Sequence, residues 1–205
     1  MFQLIVISHS AMLPGEAAII QQLFAEGLEL FHLRKPNADE QAVRQLIEAI
    51  PARYRDRIVM HGFFHLMEEY GINRWHFREE HRGQTSVEEL VQLKEKGYTL
   101  STSVHELQTL QILPSQFSYA FFSPVFDSIS KQQYKGVAGD DFYLSDEQKP
   151  LQVIALGGID VGNISRVVAM NFDGAALLGS IWNVPENAME RWGALKKAAH
   201  FALER

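Results

Sequence analysis

The sequence predicts a (β/α)₈ barrel, the TIM barrel, close to the lower size limit of that fold. Eight short runs of β-branched and aromatic residues recur along the chain, and longer stretches separate them, most with apolar residues three and four positions apart. Such alternation is typical of a parallel sheet with helical crossovers. The 205 residues, 46% of them hydrophobic, suit one core, so we expect a single domain over residues 1–205.

The elements follow in order from composition and spacing. Strands are predicted at residues 3–7, 29–33, 57–60, 74–77, 99–103, 119–123, 152–156 and 174–178. Helices are predicted at residues 15–27, 39–50, 63–71, 86–97, 104–113, 161–171 and 186–205, with Gly or Asn near several of the ends. The sixth crossover, around residues 140–148, has the weakest helical pattern. The competing fold, an open doubly wound sheet, is disfavoured because no Gly-rich dinucleotide loop follows the first strand.

Charge and composition exclude several classes of protein. The net charge of −6, from 25 acidic and 19 basic residues, argues against a general nucleic-acid binder, so any bound anion must be held locally. The absence of cysteine excludes disulfides and cysteine-ligated metals. The opening segment lacks the features of a secretory leader, and no apolar run approaches the roughly 20 residues of a membrane span. We therefore expect a cytoplasmic protein without a membrane partner.

One long polar connection, DSISKQQYKGVAGDD at residues 127–141, follows the sixth predicted strand. Connections of this length in compact domains are uncommon and are often lids over a site. A surface insertion explains the composition equally well, so both interpretations stay open.

The residues that follow each strand are the candidates for chemistry, because barrels of this kind place their site at the carboxyl ends of the strands. The glycines after the seventh and eighth strands could let backbone amides approach a phosphate or could merely make the turns, and their occurrence together at these two strands favours phosphate. A cationic doublet after the second strand would suit a diphosphate or a carboxylate. His105 is interpreted as structural, at the start of a helix. The main candidates are His9, Arg34, Lys35, His61, Ser103, Ser128, Ser130, Lys131, Gly157, Gly158, Gly179 and Ser180.

The chain resembles the thiamine phosphate synthase family, which includes a thiazole tautomerase branch. The resemblance rests on FHLRK, STSVHE, YAFFSPVFDSISK, VIALGGID and FDGAALLGSI, which occur in order and at the family's spacing. The family's synthases join a pyrimidine diphosphate to a thiazole phosphate and release pyrophosphate. The resemblance implies phosphate contacts at Gly157, Gly158, Gly179 and Ser180, and diphosphate contacts at Arg34, Ser103 and Lys131, with Ser128 and Ser130 in place of threonines.

Several departures from the synthase pattern concern magnesium. The family's Asn-Asp pair after the third strand is His61 and Gly62 here, and its magnesium-binding aspartate after the fourth strand is His81. Magnesium prefers oxygen ligands. Glu79 and Glu80 lie close to the lost site, where they could compensate or simply begin a helix.

The tautomerase branch does not need that metal pair, because moving a proton within a thiazole carboxylate phosphate needs only a placed acid and base. That branch's catalytic histidine after the sixth strand aligns with Pro124, so a different base is required. His61 is the first substitute by strand position and His9 the second.

The sequence therefore predicts a thiamine-biosynthesis enzyme that binds thiazole phosphate, of the tautomerase type. Two alternatives stay open: a synthase with altered metal ligands, and a non-catalytic binding protein for a phosphorylated ligand. No cofactor is expected except Mg²⁺ in the synthase case. The expected partners are a phosphorylated thiazole and, for a synthase, a pyrimidine diphosphate, and homo-oligomer formation is left open.

Overall fold

Eight parallel strands close into a barrel in the order in which they occur in the chain, and β8 pairs with β1. The computed structural model describes residues 2–126 and 141–204 and confirms the predicted fold. Gly174 allows the final pairing, because a Cβ atom at this position would overlap the carbonyl oxygen of Gln3. The strands are β1 (Gln3–Ile7), β2 (Leu30–Leu33), β3 (Ile58–Met60), β4 (Arg74–Phe77), β5 (Thr99–Val104), β6 (Phe117–Phe122), β7 (Gln152–Leu156) and β8 (Gly174–Leu177).

Helices surround the barrel, and the longest of those described, α9, packs against α1, α7 and α8. None of the helices in the described ranges is long and apolar enough to cross a membrane. They are α1 (Glu16–Ala25), α2 (Glu40–Ala49), α3 (Leu66–Tyr70), α4 (Glu79–Gln84), α5 (Val87–Glu95), α6 (Leu107–Gln111), α7 (Ile164–Ala169), α8 (Gly179–Trp182) and α9 (Ala188–Leu203).

The helical segments differ from the prediction in several places, which include α8 and the 3-10 helix Ala52–Arg57, both absent from the predicted ranges. Between β4 and β5 there are two helices, because Ser86 caps α5 through a capping box with Glu89 and so separates it from α4. The short α4 is absent from the predicted helix ranges, since EEHRGQ has no apolar period, although a helix start was one interpretation of Glu79 and Glu80. In the sixth crossover, the described residues 141–151 contain only the 3-10 turn Asp146–Gln148, consistent with the weak pattern there.

The inside of the barrel is divided into an apolar and a polar sector. Alternate residues of each strand point inward, and Ile5, Tyr119 and Ile154 belong to one buried cluster that spans the barrel. Polar side chains enter this interior from β2, β4 and β5, namely His32, His76, Ser101 and Ser103.

A buried ion pair fixes the loop that follows β1. The Lys35 ammonium donates to both carboxylate oxygens of Glu16, 2.7 Å to Oε1, and to the carbonyl oxygens of His9 and Ala11 at 2.9 and 2.8 Å. Both side chains are almost completely buried. The expectation that Lys35 would join Arg34 in binding an anion is therefore wrong, because its ammonium is committed to these four oxygens.

Removal of one member of this pair should destabilise the fold strongly. Lys35→Met leaves the Glu16 carboxylate buried without its cation, and we expect a loss of about 3–5 kcal/mol in the free energy of unfolding. The double variant Lys35→Met/Glu16→Leu should recover most of that loss. Urea denaturation measures both effects. Arg44→Met, which breaks partly exposed ion pairs to Glu40 and Glu69, serves as control and should lose no more than about 1 kcal/mol. A single Lys35→Met loss as small as that of the control would contradict the assignment.

Candidate functional site

Two adjoining cavities open at the carboxyl ends of the strands. The larger has a volume of about 700 Å³ and the smaller about 180 Å³. Arg34, His61 and Arg78 line both, so these three side chains form the shared wall. A pocket of this size, with apolar walls and a few converging polar groups, is typical of small-molecule sites.

The larger cavity has one apolar side and one polar side. Ile7, Phe121, Leu156 and Leu178, from β1, β6, β7 and the end of β8, supply the apolar side. The polar side comes from β2 to β5, from the N-terminus of α4 and from the loop after β6, and comprises Arg34, His61, His76, Arg78, Glu79, Glu80, Ser103, His105 and Ser123.

Three histidines from neighbouring strands meet at the floor of the cavity. His32 Nδ1 lies 2.8 Å from His61 Nε2, and the His61 ring stacks on His76 with centroids 4.2 Å apart. His32 and His76 are fully buried, whereas His61 is partly exposed to the cavity. We call His32, His61 and His76 the histidine cluster.

The histidine cluster is held by hydroxyl groups. His32 Nε2 lies 2.7 Å from the Tyr119 hydroxyl, a bond that crosses the barrel from β2 to β6. The two ring nitrogens of His76 each lie 2.9 Å from a serine hydroxyl of β5, Ser101 and Ser103. Both nitrogens of His32 and of His76 therefore have a partner, whereas only Nε2 of His61 has one among the described residues.

Burial keeps the cluster uncharged. Desolvation is the largest cause that lowers the pKa of each of the three imidazoles, and neighbouring positive charges lower it further. The pKa of His76 falls to about 3. Burial also raises the pKa of the Tyr119 phenol. Near pH 7 the cluster therefore consists of neutral imidazoles, each with one N–H donor and one acceptor nitrogen.

Two arginines at the mouth are available for an anion. The guanidinium groups of Arg34 and Arg78 make no ion pair or hydrogen bond to the described residues, and both line the cavities. Arg82, in contrast, donates to Thr102 Oγ1 at 2.8 Å and to the Ser103 carbonyl, and it pairs with Glu79. Glu79 and Glu80 line the larger cavity beside the two arginines, whereas Arg34 and Arg78 line the smaller cavity without a carboxylate.

The structure brings together some of the sequence-predicted site residues. Arg34, His61 and Ser103 line the same cavity. His9 lines neither cavity, and its Nδ1 instead accepts from the backbone N–H of Ala11 at 3.1 Å. The predicted contacts at Ser128, Ser130 and Lys131 lie outside the described residues.

The glycine-rich ends of β7 and β8 lie directly after the cavity-lining residues Leu156 and Leu178. The backbone alone favours glycine at position 157, since its φ is +109° and a Cβ atom would lie 3.1 Å from Pro124 Cα. Gly179 and Ser180 begin α8, where backbone amides have no acceptor within the helix. Ser180 Oγ is buried and has no hydrogen-bond partner among the described residues.

The residues that replace the family's magnesium ligands do not fit that ion. Gly62 has no side chain, and the His81 ring stacks on Phe77 with centroids 4.7 Å apart. Glu79 contacts Arg82 at 3.4 Å and His105 at 3.8 Å. Within the described ranges, the one converging set of three or more histidine and carboxylate side chains is the histidine cluster, whose nitrogen donors do not suit magnesium.

Inspection of strand ends alone missed His32 and His76. Both lie inside strands, two residues before the rim arginines Arg34 and Arg78. Because side chains of a strand alternate between its faces, a residue two positions before a mouth residue points into the barrel. The alternation of side chains along a strand could therefore have identified His32 and His76 from the sequence.

Comparisons with known proteins agree with this architecture. The family model described as thiamine monophosphate synthase matches residues 4–181. A thiamine-phosphate synthase of Pectobacterium atrosepticum is 26% identical over 179 residues, which cover 82% of this chain and 80% of the relative. The crystal structure of thiamine phosphate pyrophosphorylase from Bacteroides thetaiotaomicron has a TM-score of 0.75 at 26% identity, covering 97% of this chain and 98% of that one. The corresponding Pyrococcus furiosus structure, 17% identical, has a TM-score of 0.79 over 98% of this chain and 97% of its own, and supports the fold.

The buried histidines should make stability depend on pH below neutrality. The unfolded chain protonates His76 near pH 6.5, whereas the folded chain does so only near pH 3, so acid favours unfolding across that interval. Between pH 7 and pH 5 His76 alone should remove about 2 kcal/mol of stability. Urea denaturation at both pH values should show that His76→Gln shrinks the pH-dependent loss by about this amount. His200→Gln, at an exposed position on α9, should leave it unchanged. An undiminished loss in His76→Gln would contradict the electrostatic description.

Proposed function

The chain belongs to the thiamine monophosphate synthase family, and from this premise we propose that it binds a thiazole phosphate and acts as a tautomerase. The single observation that carries the proposal is the position of His61. Its neutral imidazole lies in the shared wall of both cavities and is the member of the histidine cluster with a nitrogen free of partners among the described residues.

The contact between His61 and His32 supports a proton-transfer role. When His61 Nε2–H donates to His32 Nδ1, the other nitrogen of His61 is unprotonated and can take a proton from a ligand in the cavity. In this arrangement His32 Nε2–H donates to the Tyr119 hydroxyl, so the tautomers of His32 and His61 are coupled. A thiazole isomerisation that moves one proton requires an acid and a base but no redox step.

The phosphate of the ligand would lie at the ends of β7 and β8. The backbone amides of Gly157, Gly158, Gly179 and Ser180 are the donors proposed there. The unpartnered Ser180 hydroxyl supports this placement, because a phosphate oxygen would supply its missing hydrogen bond.

A second anionic group would lie on the opposite side of the cavity. Arg34 and Ser103 are proposed to bind it, as a carboxylate in the tautomerase case or as a diphosphate in a synthase. Ser128, Ser130 and Lys131 are retained as proposed contacts from the sequence.

The synthase activity is the second candidate. The names of the relatives at 26% identity favour it, as do the carboxylates of Glu79 and Glu80 in the wall of the cavity. The lack of a converging oxygen donor set among the described residues argues against it, because the leaving pyrophosphate would need a cation to neutralise its charge.

Phosphate binding at the strand ends can be tested by placing a negatively charged side chain beside the proposed site. Gly179→Asp should place a carboxylate against the ligand phosphate and weaken binding of thiazole phosphate by about 2–5 kcal/mol. Gly179→Asn is the matched control, because it adds the same volume beside Asn183 without the charge. Calorimetry measures the affinity of each folded variant. Equal affinities for the two variants would contradict an anion at this position.

The role of His61 can be tested with both candidate reactions. His61→Ala should slow isomerisation of thiazole carboxylate phosphate by roughly 10²–10⁴-fold while phosphate binding stays nearly intact. His9→Ala tests the second sequence-predicted base, and because His9 does not line the cavities we expect little effect. The rates are measured across pH by mass spectrometry, in protein treated with a chelator.

The same assay separates the alternatives. With pyrimidine diphosphate and magnesium added, we expect little or no thiamine phosphate, and robust magnesium-dependent formation would instead establish the synthase. An active enzyme whose rate neither substitution reduces tenfold would exclude both histidines as the base. A wild-type protein that binds the thiazole phosphate but is inactive in both reactions would be a binding protein.

A further inference from the structure

The geometry points to a second use of the histidine cluster: His32, His61 and His76 form a binding site for a divalent transition-metal ion of the Zn²⁺ type. One ring nitrogen from each of the three lies within 4.8 Å of the others. The inference concerns metal binding alone and does not rest on the proposed function.

The donor atoms are close to the spacing that such an ion requires. With Zn–N distances of about 2.0–2.1 Å, tetrahedral ligands lie about 3.3–3.4 Å apart. His32 Nδ1 and His61 Nε2 are 2.8 Å apart and would separate slightly, while the widest spacing in the cluster, at most 4.8 Å, would contract. These displacements are within reach of side-chain rotation.

The His61 ring is the part that has to move. Because the lone pair of an imidazole lies in the ring plane, His61 must turn out of its stack on His76 before both can face one ion. His61 follows the end of β3 and is only partly buried. The χ2 torsion of a histidine ring has a broad distribution, so the ring can rotate at low cost. His32 and His76, inside their strands, would keep their positions.

The surroundings already contain the outer partners that metal-binding histidines require. His32 would coordinate through Nδ1 while Nε2–H donates to Tyr119. His76 would coordinate through one nitrogen while the other donates to Ser101 or Ser103. The neutral form that burial imposes on all three is the form that binds a metal.

The cavity provides both access and an open coordination position. His61 and His76 line the larger cavity, so an ion can enter from the mouth and its fourth ligand would face the solvent-filled space. The positive charges of Arg34 and Arg78 oppose the ion, whereas Glu79 and Glu80 on the same wall favour it. All three donors are imidazole nitrogens, which select Zn²⁺, Co²⁺, Ni²⁺ or Cu²⁺ over Mg²⁺.

The test is direct metal titration of the purified protein after chelation. We expect one Zn²⁺ per chain by calorimetry, and Co²⁺ should give the visible absorption bands of a four-coordinate site. His61→Ala and His76→Gln should each weaken Zn²⁺ binding at least 100-fold, and Tyr119→Phe, which removes an outer partner, roughly tenfold. Excess Mg²⁺ should not compete.

His200→Ala is the control, because it removes an exposed histidine that lies beside Glu204 and could bind zinc adventitiously. It should retain full affinity. Circular dichroism verifies that each variant is folded, and His61→Ala, at a partly exposed position, is the variant least dependent on core packing. Absence of 1:1 binding, or binding that survives in both folded His61→Ala and His76→Gln, would overturn the inference. Neither result depends on any catalytic activity, so this inference and the proposed function fail separately.

Discussion

Water has little access to the inside of a closed eight-stranded barrel, so a polar side chain placed there must find its hydrogen-bond partner on another strand. In this chain the bond from His32 to Tyr119 satisfies that requirement across the barrel, from β2 to β6. Because Tyr119 is fixed by the apolar cluster around it, its hydroxyl holds His32, and His32 in turn holds His61. The geometry of the mouth therefore depends on a residue at the centre of the core.

The same constraint separates uncharged side chains in the barrel interior from charged side chains at its mouth. The interior carries imidazoles and hydroxyls without net charge, while the guanidinium groups begin one inward-facing position further along, at Arg34 and Arg78. A ligand that spans this boundary would place its anionic group at the rim and its ring beside the histidine cluster. An acidic protein can hold an anion in this way, since two guanidinium groups without ion pairs to the described residues line the same opening.

The sequence was sufficient for the fold because parallel strands buried on both faces give a strong, repeated signal, and all eight were predicted within a few residues of their observed bounds. The additional helix α4 was missed because tertiary contacts, including those of Arg82 with β5, stabilise a segment without apolar spacing. At the site, strand-end position predicted the placement of Arg34, His61 and Ser103 in one cavity. The position of Lys35 after a strand did not predict its ion pair with Glu16, because the carboxylate comes from a different element, α1.

The approach of Pro124 to Gly157 has a consequence for how this mouth could change during evolution. The backbone N–H groups of Val125 and Phe126 donate to the carbonyl oxygens of Leu156 and Gly157, so the segment after β6 lies directly on the end of β7. A Cβ atom at residue 157 would lie 3.1 Å from the Cα of Pro124, a tight contact, and the φ of +109° also favours glycine there. Because the nearest atom is a backbone Cα, which is present whatever residue stands at 124, substitutions at 124 leave the requirement for glycine at 157 unchanged.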